Sequence, residues 1–175
     1  MALPSMEDHR FHKTVVLICG HDDKGALGLI INRGLASLTF NELLDNLHIR
    51  SNADYELTKV HFGGYVEMGR GFIIHTPDYH TATTVHITDD LCLTATTDII
   101  NAIVNGEGPE HLFLTLGYAG WSAQQLEKEI IHNGWLVLDS SPELIFHTDL
   151  DLRWQRALTQ VGISTDMISL EGGTA

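Results

Sequence analysis

The apolar residues of this chain fall in short runs whose period changes along the sequence, and that change limits the fold more than any single motif does. KTVVLICG (13–20) and ALGLIINR (26–33) are rich in β-branched residues and joined by HDDKG, a polar stretch ending in Gly25, which predicts a β-hairpin. Leu38, Thr39, Glu42 and Leu43 then stand as staple residue, N-cap, capping-box glutamate and staple partner. SLTFNELLDNL therefore predicts a helix capped by Thr39 and starting near Phe40, with Phe40, Leu43, Leu44 and Leu47 on one face. Residues 59–96 return to strand-like runs, KVHFGG, GFIIHT, TTVHIT and LCLTAT, broken by glycine, Pro77 and Asp89-Asp90, the pattern of a meander or hairpin block. TTDIINAIVNGEGP is helical again, with Thr96 or Thr97 as cap, Asp98 at the positive end of the helix dipole and Gly106 as the stop.

EHLFLTLG predicts a strand. In LGYAGWSAQQLEKEI (116–130), Gly117 to Ser122 reads as the turn from that strand into a helix, with Ser122 and Gln125 as a second capping box and Ala123, Leu126 and Ile130 as an apolar stripe ending at Asn133-Gly134. WLVLD predicts a further strand, SPELIFH a short helix with Pro142 in its first turn, and DLDLRWQRALTQVG a last helix marked by Trp154, Ala157, Leu158 and Val161. ISTDMISLEGGTA has little period. The organisation is thus a single domain over residues 1–165 and a loose tail over 166–175, with no internal repeat or linker. Grouped strands that later interleave with helices indicate an α+β domain with a mixed sheet.

A chain of 175 residues can bury roughly 70% of the surface its unfolded form exposes, enough for a core without staples. No apolar run approaches the roughly 18 residues of a membrane span. MALPSMEDHR has neither the basic start nor the apolar stretch of a signal peptide, so the expected compartment is the cytoplasm. Cys19 and Cys92, each inside an apolar run, read as reduced buried thiols. Ten Lys and Arg against 23 Asp and Glu give a net charge of -13. Nucleic-acid binding draws its affinity from cations that neutralise phosphates, so direct binding to nucleic acid is disfavoured.

The familiar catalytic motifs fail on inspection. Gly120-Trp121-Ser122-Ala123-Gln124 lacks the second glycine of a nucleophile elbow, Gly117 and Gly120 lack the lysine of a phosphate loop, and Gly106 and Gly108 run into Pro109, Glu110 and His111 instead of completing a dinucleotide fingerprint. The 11 histidines include no H-E-x-x-H or H-x-H, and His9 and His12 are the only close pair at helical spacing. His61, His75 and His86 alternate along strands and read as solvent-facing or as core hydrogen-bonding groups. Asp22-Asp23 and Asp89-Asp90 fall at turns, where aspartate is favoured for local reasons. What survives is FGGYVEMGRGFIIH (62–75), where Gly63-Gly64 permits a close backbone approach and Arg70 offers a bidentate clamp for a carboxylate or phosphate. The plainer reading is a glycine-rich bulge or turn with a solvated arginine. Asn32-Arg33-Gly34 is a similar candidate, and Trp121 has no explanation in capping.

Taken together, ALPSM, HDDKGALGLIINR, FGGYVEMGRGFIIH, LTATTDIINAI, GEGP and LGYAGWSAQQLEKEI resemble the YqgE/AlgH family of bacterial proteins, over nearly the whole chain from Ala2 to Ile163. The resemblance implies an α+β domain whose mixed sheet curls toward a barrel with helices around it, in a cytoplasmic protein. The family carries a transcriptional-regulator label without a DNA-reading element, and supplies no catalytic or ligand residues to carry over. Its members commonly have proline where Tyr65 and Gly34 stand here, so both loops are expected to be less restrained. They also commonly carry further residues ahead of ALPSM, including an apolar run, so a sheet edge is expected to lack a strand.

Two functional expectations follow. The first is a regulatory or binding protein acting through a protein partner or a small ligand, and on transcription only indirectly. The second is an enzyme or small-anion binder built on Arg33, Arg70 and the Gly117 to Ser122 turn, which requires those loops to converge on one pocket. The candidate ligand-binding residues are Asn32, Arg33, Gly63, Gly64, Arg70, Tyr118 and Trp121; no catalytic residue, cofactor or metal is implied.

Overall fold

The first hairpin forms as the pattern dictates. β1 (Val16–Asp22) and β2 (Gly25–Ile30) pair antiparallel, and the Asp22 carboxylate accepts the backbone N–H groups of Lys24 and Gly25 at 2.8 and 3.2 Å. The structure, a computed structural model, describes residues 1–51 and 58–163, so the tail expected at 166–175 lies outside the described residues. In α1 (Phe40–Asn46) both halves of the capping box are present: Thr39 Oγ1 accepts the Glu42 N–H at 3.2 Å and the Glu42 carboxylate accepts the Thr39 N–H at 2.8 Å. Phe40 and Leu44 are buried and Leu43 partly so, while Leu47 is left exposed at the helix end.

The block at 59–96 holds β3 (Val60–Phe62), β4 (Val66–His75), β5 (Val85–His86) and β6 (Cys92–Thr94), but it is not a meander. β6 lies between β4 and β5, and β3 leaves the block to pair in parallel with β7 (Leu112–Ser122). The strand order is β1-β2-β7-β4-β6-β5, with β3 also on β7, and the parallel pairing of β3 with β7 makes the sheet mixed. α2 (Thr97–Val104) stops at Gly106, whose φ of +76° suits the turn out of a helix.

β7 organises the sheet. Its first residues lie between β3 and β4, and Ala119–Ser122 pair with β2, with Gly117 at φ +74° where one set of partners gives way to the other. The sheet is covered on both faces where these strands meet. Phe72, Ile74 and Phe113 pack with Leu17, Leu29 and Leu158 of α4 (Leu150–Gln160), whereas Ile73, Leu114 and Leu116 pack with Phe40 of α1 and Ile99 of α2. That double burial is why GFIIH reads as a continuous apolar run. Ala119, Trp121 and Trp135 form a third cluster with Leu126 of α3 (Gln125–Ile131). The result is one α+β domain with a curled, half-barrel-like sheet surrounded by helices.

Several local expectations give way to these contacts. Gly117 to Ser122 is not a turn but the second half of β7. Ser122 does not cap α3: the N-cap position is Gln124, in a left-handed conformation, and the Ser122 N–H and hydroxyl both donate to the Gln125 side chain. WLVLD makes only an isolated bridge, Trp135 to Ala2. Its alternation is real, with Leu136 and Leu138 turned toward the core and Val137 outward, but the segment and β1 line an apolar cleft of about 300 Å³ instead of pairing. SPELIFH forms a π-helical turn over Glu143–His147. Among the described residues no helix is long and apolar enough to cross a membrane.

Candidate functional site

Gly63, Gly64 and Gly117 meet at a crossing of main chains. A Cβ on Gly64 would lie 2.0 Å from the Tyr118 carbonyl carbon, one on Gly63 would lie 2.3 Å from the Gly117 oxygen, and one on Gly117 would lie 2.4 Å from the Gly64 oxygen. Gly63 donates its N–H to Leu116 and accepts the N–H of Ile30, both at 2.8 Å, so the crossing ties β2 to β7. These glycines are required by close approach. They bring Tyr65 and Tyr118 into one cleft of about 120 Å³, beside Phe11 and Trp121.

The aromatic walls are held from behind. Tyr65, which stands where the family resemblance places a proline, accepts a hydrogen bond from Arg33 Nη1 at 2.9 Å and donates to the Arg10 carbonyl at 3.2 Å. Its ring meets those of Phe11 at 5.9 Å and Phe62 at 4.9 Å, both edge to face. Arg33 also donates to Thr14 Oγ1 at 2.8 Å, so this guanidinium positions Tyr65. Trp121 and Trp135 pack edge to face at 5.7 Å. Both indole N–H groups donate to Glu129 Oε2, at 2.9 and 2.7 Å, while Gln125 donates to Oε1 at 2.9 Å. At the other side of the cleft Arg10 grips Asp8 with both Nε and Nη2 and lies 5.1 Å from the Tyr65 ring centroid. That hydrogen bonding holds the Asp8 carboxyl below its ordinary range.

Of the sequence candidates, Tyr118 and Trp121 line the cleft, Arg33 supports it through Tyr65, and Gly63 and Gly64 build the crossing beneath it. Asn32 serves the main chain instead: Oδ1 accepts the Val15 N–H at 2.9 Å and Nδ2 donates to the Lys13 carbonyl at 2.8 Å. Arg70 is not in a loop but in the bulged part of β4, half-exposed, paired with Glu67 at 3.2 Å and lying over Phe72. The residues that sequence reasoning missed are Tyr65, Phe11, Trp135 and Glu129. The four-residue spacing of Gln125 and Glu129 was visible, but their link to the two indoles depends on tertiary packing.

The cleft holds polar and aromatic recognition groups and no arranged nucleophile. The Ser122 hydroxyl is bonded to Gln125 at 3.1 Å, and burial pushes the Cys19 thiol up to about 12 and the Cys92 thiol upward as well. His75 is a core residue, donating from Nδ1 to the Thr76 carbonyl and accepting from Thr94 at Nε2. Among the described residues no group of three or more His, Cys, Asp or Glu side chains is placed to hold a metal ion.

The family described as AlgH-like matches residues 1–166. The UPF0301 protein of Bradyrhizobium diazoefficiens is 45% identical over 183 residues, covering 100% of this chain and 86% of the relative. That of Rhizobium leguminosarum bv. trifolii is 42% identical over 182 residues, covering 100% and 90%. The solution structure of the AlgH protein from Pseudomonas aeruginosa matches with a TM-score of 0.82 at 32% identity, over 100% of this chain and 93% of that one. The crystal structure of a Corynebacterium diphtheriae protein, at 18% identity over 91% and 83% of the two chains, shares the fold with a TM-score of 0.71.

Proposed function

The chain belongs to the AlgH-like family, and from that premise we propose that it is a binding protein whose aromatic cleft receives a cationic side chain of a protein partner. The observation that carries this reading is the lining of the cleft: Tyr65, Tyr118, Phe11 and Trp121, with Asp8, which already holds Arg10, and Glu129, which holds both indoles and Gln125, beside them. Aromatic faces and carboxylates are the two surfaces that attract an ammonium or guanidinium group. Arg10, resting over Tyr65 and paired with Asp8, supports the match from within the chain itself. A volume of about 120 Å³ is below the roughly 300–1,000 Å³ of sites that enclose a metabolite, and suits a single inserted side chain.

The net charge of -13 attracts a basic partner from a distance and repels phosphate backbones, so an effect on transcription would pass through a protein. The alternative of an enzyme or anion binder built on Arg33, Arg70 and Gly117 to Ser122 has less support, because Arg33 is engaged with Tyr65 and Thr14 and Arg70 does not line the cleft. Trp121 and Trp135 supply the assay. A lysine- and arginine-rich peptide is expected to change their fluorescence saturably, and Tyr118→Ala is expected to weaken that response roughly tenfold, the loss of one cation–π contact with its packing. An equal response to an acidic peptide of the same length would defeat the proposal.

A further inference from the structure

Arg153 is a buried charge with no ion-pair partner among the described residues, Asp149 acting on it only from beyond that distance. Only 4% of its surface is exposed, and its guanidinium donates to main-chain carbonyls, from Nε to Thr148 at 2.9 Å, from Nη2 to Ile145 at 2.6 Å, and from Nη1 to Ile31. Carbonyl dipoles satisfy hydrogen bonds but do not neutralise a cation, and among the described residues no carboxylate lies within ion-pair distance of it. Burying a guanidinium in that condition is costly. A guanidinium also has five N–H bonds, so two remain after these three contacts.

Arg153 forms part of the wall of a polar cavity of about 430 Å³, and Lys59, His61, His111 and His147 share that wall. In an acidic chain this is an unusual concentration: two of the ten Lys and Arg and three of the 11 histidines stand here, against the acids Glu110 and Asp149. The rings of His111 and His147 meet edge to face at 4.7 Å. Phe113 underlies the other pair, with the His61 ring stacked on it at 3.9 Å and the Arg153 guanidinium 4.6 Å from its centroid. His61 donates from Nδ1 to the Leu114 carbonyl at 3.0 Å, which fixes its tautomer and leaves Nε2 available.

We propose that this cavity binds a small oxyanion, the carboxylate or phosphate group of a metabolite, with Arg153 as the buried cation and Lys59, His111 and His147 as its outer ligands. An oxyanion can bring a negative charge within ion-pair distance of Arg153, which no described carboxylate does, and can accept from N–H groups that these three contacts leave over. The volume lies in the range of metabolite sites. The cavity shares no lining residue with the aromatic cleft, so the two proposals stand or fall separately.

Arg153 also fastens α4 to the π-helical turn and to the residue after β2, so its replacement alone would not separate binding from folding. The decisive variants are at Lys59 and His147, both exposed. The experiment follows the histidine C–H signals by NMR while inorganic phosphate, and separately succinate, is added in a chloride buffer. Saturable shifts at His111 and His147 are expected, and in the Lys59→Met, His147→Gln double variant the affinity read from His111 is expected to fall roughly tenfold or more at an unchanged melting temperature. Tighter phosphate would assign a phosphoryl ligand and tighter succinate a carboxylate. Shifts that sodium chloride reproduces, or saturable binding unaltered in the double variant, would overturn the proposal.

Discussion

Gly64 lies so close to Tyr118 that one methyl group decides whether their main chains can meet. Gly64→Ala would place its Cβ 2.0 Å from a carbonyl carbon that cannot rotate away, and the expected loss is about 3 kcal/mol or more of stability. Gly69→Ala, with nothing within 4 Å of the added atom, is the matched control and is expected to be near neutral by urea denaturation. His61 makes a different prediction. Burial, with Arg153 and Lys59 nearby, lowers it from 6.5 to about 4, so the unfolded chain takes up this proton near pH 6.5 and the folded chain only near pH 4. Stability from this residue is therefore full above pH 6.5 and lost as the pH falls toward 4, by an amount on the order of 3 kcal/mol. Melting curves of His61→Asn across that interval, in buffers free of phosphate and carboxylate, are expected to show the shallower pH dependence; equal slopes would refute the assignment. The glycine pair was legible as a place of close approach, because only glycine tolerates one. Arg153 was not, since in sequence it interrupts the apolar stripe of a helix and nothing there reveals the carbonyls that surround it.

Among the elements, α1 is short enough for its cap to matter. Thr39→Ala removes the hydroxyl that accepts the Glu42 N–H, and a loss of about 1 kcal/mol is expected in equilibrium denaturation, with little change if Glu42 alone can hold the helix start. This helix was readable because every residue of its cap lies within four positions of the next. β7 was readable only in its first half. Gly117 looked like a stop, but at φ +74° it changes the strand's direction while β2 takes over the pairing, and β2 lies far back in the sequence. WLVLD failed for the converse reason: an alternating apolar pattern establishes which side chains turn inward, and a strand also needs a partner edge.

For the molecule as a whole the charge is the dominant condition. The described ion pairs are exposed, Arg10 with Asp8, His21 with Glu127, Arg70 with Glu67 and His111 with Glu110, so their attraction counts for little beside the repulsion within a net charge of -13. Self-repulsion should then outweigh attraction, and raising sodium chloride from about 0.01 to about 0.2 M is expected to raise the melting temperature as the screening length falls below about 10 Å. A fall would mean that specific surface pairs matter more than the total. The class of fold was visible at this scale because grouped and interleaved strands leave few layer arrangements; the strand order was not, since it depends on which distant segment reaches β7 first.

The pairing of β2 with the far end of β7 also has a consequence in time. A ribosome releases the β1–β2 hairpin long before it has made Ala119–Ser122, and until then Leu29 and Ile31 have no finished sheet to cover them. The nascent chain must wait with an open apolar edge, which makes the interval before residue 122 emerges the stage at which a holding chaperone has the most to protect.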